Sequence, residues 1–90
     1  MIVARHYRVS GRVQHVGFRY FVYDAASREG ISGWVRNLAD GSVEVAAEGE
    51  AEAIDRFDRT LRQGPRGARV EAVETDITQP TGRLVGFMIR

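Results

Sequence analysis

Residues 11–26, GRVQHVGFRYFVYDAA, combine a loop bounded by glycines with the start of an apolar pattern that has helical spacing. Apolar side chains recur at positions i, i+3, i+4 and i+7 of this pattern, which are Phe18, Phe21, Val22 and Ala25. Such spacing is typical of a helix with one buried face, and Gly30 is a suitable place for that helix to end. We therefore predict that a loop from Gly11 to Arg19 leads directly into the first helix.

Strands are predicted on both sides of this stretch. The β-branched and aromatic residues before Ser10-Gly11 predict a first strand. Residues 31–38 and 42–48 flank Asp40-Gly41, a pair that favours a tight hairpin turn with positive φ angles. We therefore expect the second and third strands to form a hairpin.

The rest of the chain predicts a second helix and closing strands. The helix follows Gly49, ends at Gln63-Gly64-Pro65, and has an inward apolar stripe of Ile54, Phe57 and Leu61. Residues 70–78 predict a strand whose apolar positions do not alternate strictly, which indicates a twist or a bulge. Residues 84–89 predict a last short strand.

The order strand, helix, strand, strand, helix, strand is that of the ferredoxin-like split βαβ arrangement (βαββαβ). We expect an α+β sandwich in which two helices cover one face of an antiparallel sheet of four to five strands. Ninety residues are enough for one domain and too few for two, so residues 1–90 are predicted to form a single domain.

Composition excludes several kinds of site. With 13 basic and 12 acidic residues the net charge is +1, so no broad electrostatic field favours nucleic acid or an anionic membrane. A chain without cysteine has no disulfide, thiol nucleophile or thiolate-bound zinc. Every Lys or Arg position is arginine, so a guanidinium must bind any anion. No apolar segment suits a signal peptide or membrane span, and we expect a cytoplasmic protein.

The glycine-bounded stretch has the features of an anion-binding loop. A loop that leads into a helix N-terminus directs several backbone N–H groups outward, and their partial positive charges attract anions. Arg19 lies where the helix begins, and its planar guanidinium can pair with two phosphate oxygens at once. An ordinary strand-to-helix turn with a solvated arginine is the alternative for such a loop considered by itself.

Asn37 is the second candidate, at the end of the predicted strand that contains Gly33-Trp34-Val35-Arg36-Asn37. Its side chain offers both an acceptor and a donor, so it can hold a water molecule in one orientation beside an electrophile. The alternative is that Asn37 caps its own backbone next to the turn, as asparagine most often does there.

Taken together, these two stretches resemble the acylphosphatase family. The first signature of that family is matched by Gly11, Val13, Gln14, Val16, Gly17, Phe18 and Arg19. The second is matched by Gly33, Trp34, Val35, Asn37, Gly41, Val43 and Gly49. The C-terminal Phe87-Met88-Ile89-Arg90 is also similar to the usual ending of the family, so the resemblance covers the whole chain.

The resemblance implies hydrolysis of small acyl phosphates to a carboxylate and inorganic phosphate. Arg19 then binds the phosphoryl group, or inorganic phosphate, with backbone amides of Gln14, His15, Val16, Gly17, Phe18 and Arg19. Asn37 orients the water for in-line attack on phosphorus. The carboxylate that leaves is weakly basic, so positioning and charge stabilisation can supply most of the rate without a metal or cofactor. Neither motif contains a strong general base, and a phosphoryl oxygen is one acceptor for the proton of water.

His15 departs from the family pattern, because many members have glycine at this position. If the loop requires a positive φ angle there, histidine tolerates that conformation better than most residues, at a cost of about 1 to 3 kcal/mol. Two interpretations of the imidazole stay open. It adds a positive charge near the phosphate at low pH, or it faces solvent and has no part in catalysis.

Other partners are less well supported by the residues. Residues 17–23 resemble the aromatic strand of an RNA-recognition motif, but their helical spacing predicts buried rings, so we expect no nucleic acid partner. His6 and His15 are the only histidines, and we expect no metal site. The alternative to an enzyme is a non-catalytic acylphosphatase-like module that binds anions or proteins, as occurs in larger maturation proteins. The range from Met1 to Arg90 leaves no additional domain, which favours a stand-alone, monomeric enzyme.

Overall fold

Five strands and two helices make up the computed structural model, which describes residues 1–90. In chain order the elements are β1 (Ile2–Arg12), α1 (Phe18–Arg28), β2 (Ser32–Asn37), β3 (Val43–Glu50), α2 (Ala51–Gln63), β4 (Arg69–Thr78) and β5 (Phe87–Ile89). The predicted order of elements is confirmed, and the fold is a ferredoxin-like α+β sandwich. Neither helix is long and apolar enough to cross a membrane.

The sheet has the strand order β4-β1-β3-β2-β5 and is mixed. The pairs β4 with β1, β1 with β3 and β3 with β2 are antiparallel, as expected. β5 runs parallel to β2, with Trp34 beside Met88, which corrects the expectation of a wholly antiparallel sheet. The reason is that the connection from β4 stays at the end of the sheet where β2 begins, so the chain enters β5 in the direction of β2.

Residues 79–86 make this connection, so the last strand begins at Phe87 and not at residue 84 as predicted. The buried carboxylate of Glu48 holds the connection in place, because it accepts hydrogen bonds from the N–H and the hydroxyl of Thr81 at 2.6 and 2.9 Å. It also accepts one from the N–H of Gly82 at 3.3 Å. These hydrogen bonds, led by that of the Thr81 N–H, lower the pKa of Glu48.

Both helices pack on one face of the sheet, and the core lies between these two layers. The Tyr7 ring of β1 is fully buried and meets the Phe57 ring of α2 edge to face, with ring centroids 6.0 Å apart. The predicted inward faces are confirmed, since Phe18, Val22, Ala25, Ile54, Phe57 and Leu61 are all buried and Phe21 is partly buried. Because Phe18 and Phe21 pack inside the sandwich, they do not form an exposed stacking surface for bases.

The connection between β2 and β3 is longer than the predicted tight turn. Residues 38–42 form it, the N–H of Leu38 donates to Ser42 O at 2.8 Å, and Gly41 has a positive φ of 93°. Asp40 does not have a positive φ, contrary to the prediction for the Asp40-Gly41 pair. Its carboxylate instead accepts hydrogen bonds from the N–H and hydroxyl of Ser42, and these bonds close the turn.

The predicted irregularity in residues 70–78 is a β-bulge. Ser10 pairs with Ala72 and Gly11 pairs with Val70, which leaves Glu71 as the extra residue of β4. Gly11 has a φ of 124°, and a Cβ atom at this position would lie 2.1 Å from Arg69 O. Only glycine therefore fits at the point where β1 begins to leave the sheet.

Gly11→Ala should lower the free energy of unfolding by about 3 kcal/mol or more, because the new methyl group overlaps a backbone oxygen of β4. Gly67→Ala is the matched control, since Gly67 also has a positive φ (91°) but a Cβ there would meet no atom within 4 Å. It should cost about 1 kcal/mol, from backbone strain alone. Urea denaturation of the two variants measures the difference, and equal losses would contradict the proposed contact.

Candidate active site

The two predicted motifs meet at one end of the sheet. β1 and β2 are both antiparallel to β3, so they run in the same direction and end at the same edge. Val9 near the end of β1 and Asn37 at the end of β2 both pair with Val43. The first loop (residues 13–17) and the second loop (residues 38–42) therefore lie side by side.

The first loop leaves its backbone donors free. The first N–H at the start of α1 with a protein acceptor is that of Phe21, which donates to Gly17 O at 3.0 Å. The N–H groups of residues 14–20 donate to no protein acceptor, and no side chain caps the helix. A helix N-terminus with several free N–H groups attracts an anion.

Left-handed backbone conformations shape this loop. Gly17 has φ 76° and ψ 19°, and His15 has φ 63°, the only positive φ outside glycine. The positive φ expected at His15 is confirmed. His15 is exposed, and both interpretations of its imidazole stay predictions.

A cavity of about 150 Å³ lies between the two motifs and is lined by Val13, His15, Gly17, Phe18, Arg19, Tyr20 and Asn37. No carboxylate lines it, so the permanent charge of the lining is that of Arg19. The structure thus brings most of the predicted site residues together. Gln14 and Val16, which were also predicted to belong to the site, do not line the cavity. No three His, Cys, Asp or Glu side chains lie close enough together to hold a metal ion.

Val13 and Tyr20 line the cavity and were not predicted from the sequence. Tyr20 is 68% exposed in the first turn of α1 and lies off the apolar stripe of that helix. Its position beside Arg19 and outside the stripe is the signal that could have identified it. Val13 lies within the first motif, but its apolar side chain gave no chemical reason to select it.

Arg19 is half-buried and held by the C-terminal strand region. Its Nη1 donates to the main-chain oxygen of Arg90 at 3.0 Å, and the N–H of Arg90 donates to Val35 O at 2.8 Å. The Arg90 guanidinium lies over the Trp34 ring, 4.7 Å from its centroid. Arg19 pairs with no carboxylate, so the rest of its guanidinium is available for an anion. The sequence did not indicate Arg90 as its anchor.

Asn37 is half-buried, and its Oδ1 atom is buried without a hydrogen-bond partner. The interpretation that this side chain caps its own backbone is therefore not supported. A buried acceptor left unpaired costs about 1 to 3 kcal/mol. A donor in the cavity, such as a water molecule, would satisfy it.

The Gln14 side chain joins the two loops. Its Nε2 donates to Leu38 O at 2.8 Å and to Ser42 O at 2.9 Å, both in the second loop. The prediction placed Gln14 at the phosphate through its backbone amide, and its side chain proves to have a separate set of contacts. Those acceptors are main-chain oxygens, which leave no pattern in the sequence.

A charged network closes the second loop from outside. Asp40 accepts hydrogen bonds from Ser42 and pairs with the Arg8 guanidinium, which also donates to Glu74 at 2.9 Å. The hydrogen bonds from Ser42 hold the pKa of the Asp40 carboxyl well below its usual range, and Arg8 lowers this pKa further. The negative charge of Asp40 therefore favours the folded loop.

Comparison with known proteins identifies relatives. The acylphosphatase family model matches residues 5–89. The acylphosphatase of Pseudomonas paraeruginosa is 49% identical over 88 residues, which are 98% of this chain and 96% of that protein. The crystal structure of acylphosphatase from Bacillus subtilis has a TM-score of 0.94 at 34% identity and covers 100% of this chain and 99% of its own. Full-length HypF, in a phosphate- and nucleotide-bound form, matches at TM-score 0.89 and 26% identity over 100% of this chain and 12% of HypF.

Low pH should reduce the free energy of unfolding that the Asp40 carboxylate contributes in the second loop. Its pKa is lowered by folding, so its contribution to stability is present above the unfolded-state pKa of about 4 and is lost as the pH falls below that value. Asp40→Asn should therefore be less stable than the native protein at pH 6, and this difference should shrink towards pH 2.5. Urea denaturation of both proteins at several pH values measures this difference in stability. A difference that stays constant with pH would contradict the assigned role.

Proposed function

This chain belongs to the acylphosphatase family, and we propose that the cavity between its first loop and Asn37 is the site at which it hydrolyses acyl phosphates. The protein is a hydrolase that acts on acid anhydrides. The site assignment rests on the meeting of several anion-binding and water-binding groups in one place. One small cavity is lined by residues with free N–H groups (His15, Gly17, Phe18 and Arg19), by an arginine without a carboxylate partner, and by Asn37 with its unpaired Oδ1.

The phosphoryl group binds in the first loop. The N–H groups of Gln14, His15, Val16, Gly17, Phe18 and Arg19 donate to its oxygens, and the free nitrogens of the Arg19 guanidinium pair with them. These donors are in place before substrate arrives, because left-handed turns and the contact with Arg90 already orient them. They stabilise the negative charge of the phosphoryl oxygens in the transition state.

The acyl group projects from the cavity towards solvent. A volume of about 150 Å³ is below that of most small-molecule pockets and suits a phosphoryl group with its attacking water. Recognition then rests chiefly on the phosphoryl group, and the enzyme accepts acyl phosphates of different acyl chemistry.

Asn37 holds the attacking water. Its Oδ1 accepts a hydrogen bond from the water, whose oxygen attacks phosphorus opposite the bond to the acyl oxygen. A new P–O bond forms, the P–O bond to the acyl group breaks, and the carboxylate leaves with the electron pair. The cavity lining contains no carboxylate, and in this proposal a phosphoryl oxygen takes the proton released by water. No step requires a metal or a cofactor.

Three further statements stay predictions from the sequence. They are that residues 1–90 act as a single domain, that the protein is monomeric, and that it is cytoplasmic. Size-exclusion chromatography with light scattering tests the second of these.

Substitution of the two side chains should separate binding from water positioning. With benzoyl phosphate and a chelator present, Arg19→Ala should lower kcat/KM by about 10³-fold, since it removes a charged donor to the phosphoryl group. Asn37→Ala should lower kcat by about 10²-fold and change the inhibition constant of inorganic phosphate by less than about 3-fold. Steady-state kinetics measures both effects, after circular dichroism has shown that each variant is folded.

Arg28→Ala is the matched control for Arg19→Ala, because Arg28 is an exposed arginine in the last turn of the same helix. Its kcat/KM should match that of the native protein. If folded native protein does not hydrolyse acyl phosphates, the enzyme assignment fails. The candidate that remains is an anion-binding module, as favoured by the likeness to a small part of phosphate-bound HypF.

A further inference from the structure

The Gln14 carboxamide occupies a position that the proposed reaction does not explain. It belongs to the first loop, yet its Nε2 donates to Leu38 O at 2.8 Å and Ser42 O at 2.9 Å in the second loop. Leu38 directly follows Asn37, and Ser42 directly precedes Val43, the residue that pairs with Asn37. The carboxamide therefore spans the end of the β2–β3 ladder at Asn37.

We propose that the Gln14 side chain is a positioning residue, which sets the distance between the phosphoryl group in the first loop and the water held by Asn37. This inference rests on the proposed function. It differs from the backbone role of Gln14, because the N–H of Gln14 belongs to the first loop whatever its side chain contacts.

The second loop is firm enough for a single contact to position it. Leu38 and Ser42 are joined by a backbone hydrogen bond of 2.8 Å, and the N–H of Gly41 donates to Leu38 O at 3.2 Å. Asp40 closes the same turn through Ser42 and is itself held by Arg8. Because Leu38 directly follows Asn37 and Ser42 precedes its pairing partner Val43, holding the carbonyl groups of Leu38 and Ser42 also restrains Asn37.

The chemistry of the contact requires an amide. Two main-chain oxygens face one side-chain nitrogen, so the group must donate two hydrogen bonds and carry no negative charge. A methionine of similar length donates none. An ionised glutamate donates none and brings a negative charge against two carbonyl dipoles, whereas a protonated glutamic acid donates one.

Loss of this contact should affect the chemical step more than phosphate binding. Without it, Asn37 and the phosphoryl group sample a wider range of separations, and misplacement by about 1 Å can cost about 100-fold in rate. Arg19 and the N–H groups of the first loop keep their own geometry, which depends on Arg90 and on the turn into α1. Binding of inorganic phosphate should therefore change little.

Gln14→Met tests the inference with benzoyl phosphate as substrate. We expect kcat to fall by at least about 10-fold, while the inhibition constant of inorganic phosphate changes by less than about 3-fold. Gln63→Met is the matched control, since Gln63 is an exposed glutamine at the end of α2 and its side chain makes no hydrogen bond in the structure. It should leave both quantities unchanged.

Gln14→Glu should show a pH dependence of kcat that a merely structural role would not produce. This variant tests the inference if Gln14→Met does not fold. The ratio of its kcat to the native kcat, taken at each pH, should rise as the pH falls towards the carboxyl range near 4, because the protonated side chain regains a donor. Division by the native value removes the titration of groups common to both proteins, including His15 and Asp40 nearby.

The outcomes separate this inference from the proposed function. Native protein without turnover overturns the proposed function and this inference with it. Active native protein overturns the inference alone if Gln14→Met keeps its kcat within 2-fold, or loses kcat and phosphate affinity in equal measure. A pH-independent ratio for Gln14→Glu overturns it too.

Discussion

The chain has to leave β1 and enter α1 without using the N–H groups of residues 14–20. Most backbone donors in a folded protein are paired, so a run of free ones persists only where the rest of the structure holds it. Here the left-handed conformations of His15 and Gly17 turn the chain, and the bulge opposite Gly11 sets the direction in which it leaves the sheet. This backbone geometry supports the proposed anion-binding site before any side chain is considered.

The sheet topology places the other residues of the candidate site beside that turn. Since β1 and β2 both pair with β3 in the antiparallel sense, their ends fall at one edge, and Asn37 lies beside the first loop. Parallel pairing of β5 with β2 then carries the main chain of Arg90 to Arg19. The three parts of the site come from distant segments of the chain, and the strand order supplies their proximity.

Local patterns in the sequence were sufficient to predict part of this structure. Apolar spacing from Phe18 to Ala25 predicted the buried face of α1, and the two motifs predicted Arg19 and Asn37 as site residues, which the structure places in one cavity. The direction of β5 could not be predicted, because it depends on where residues 79–86 cross and on their contacts with Glu48. The hydrogen bonds of the Gln14 side chain, and that of Arg19 to Arg90, could not be predicted either. Their acceptors are main-chain oxygens, which every residue provides.

Hydrolysis of benzoyl phosphate in water enriched in oxygen-18 tests the central claim most directly, namely that a water held by Asn37 attacks a phosphoryl group bound in the first loop. Mass spectrometry measures the oxygen-18 content of the two products, phosphate and benzoate, after each substrate molecule has been hydrolysed once. Attack on phosphorus places the heavy oxygen in inorganic phosphate and none in benzoate, which is the predicted result. Heavy oxygen in benzoate would mean that water attacks the acyl carbon, and it would contradict the assignment of the first loop and Asn37.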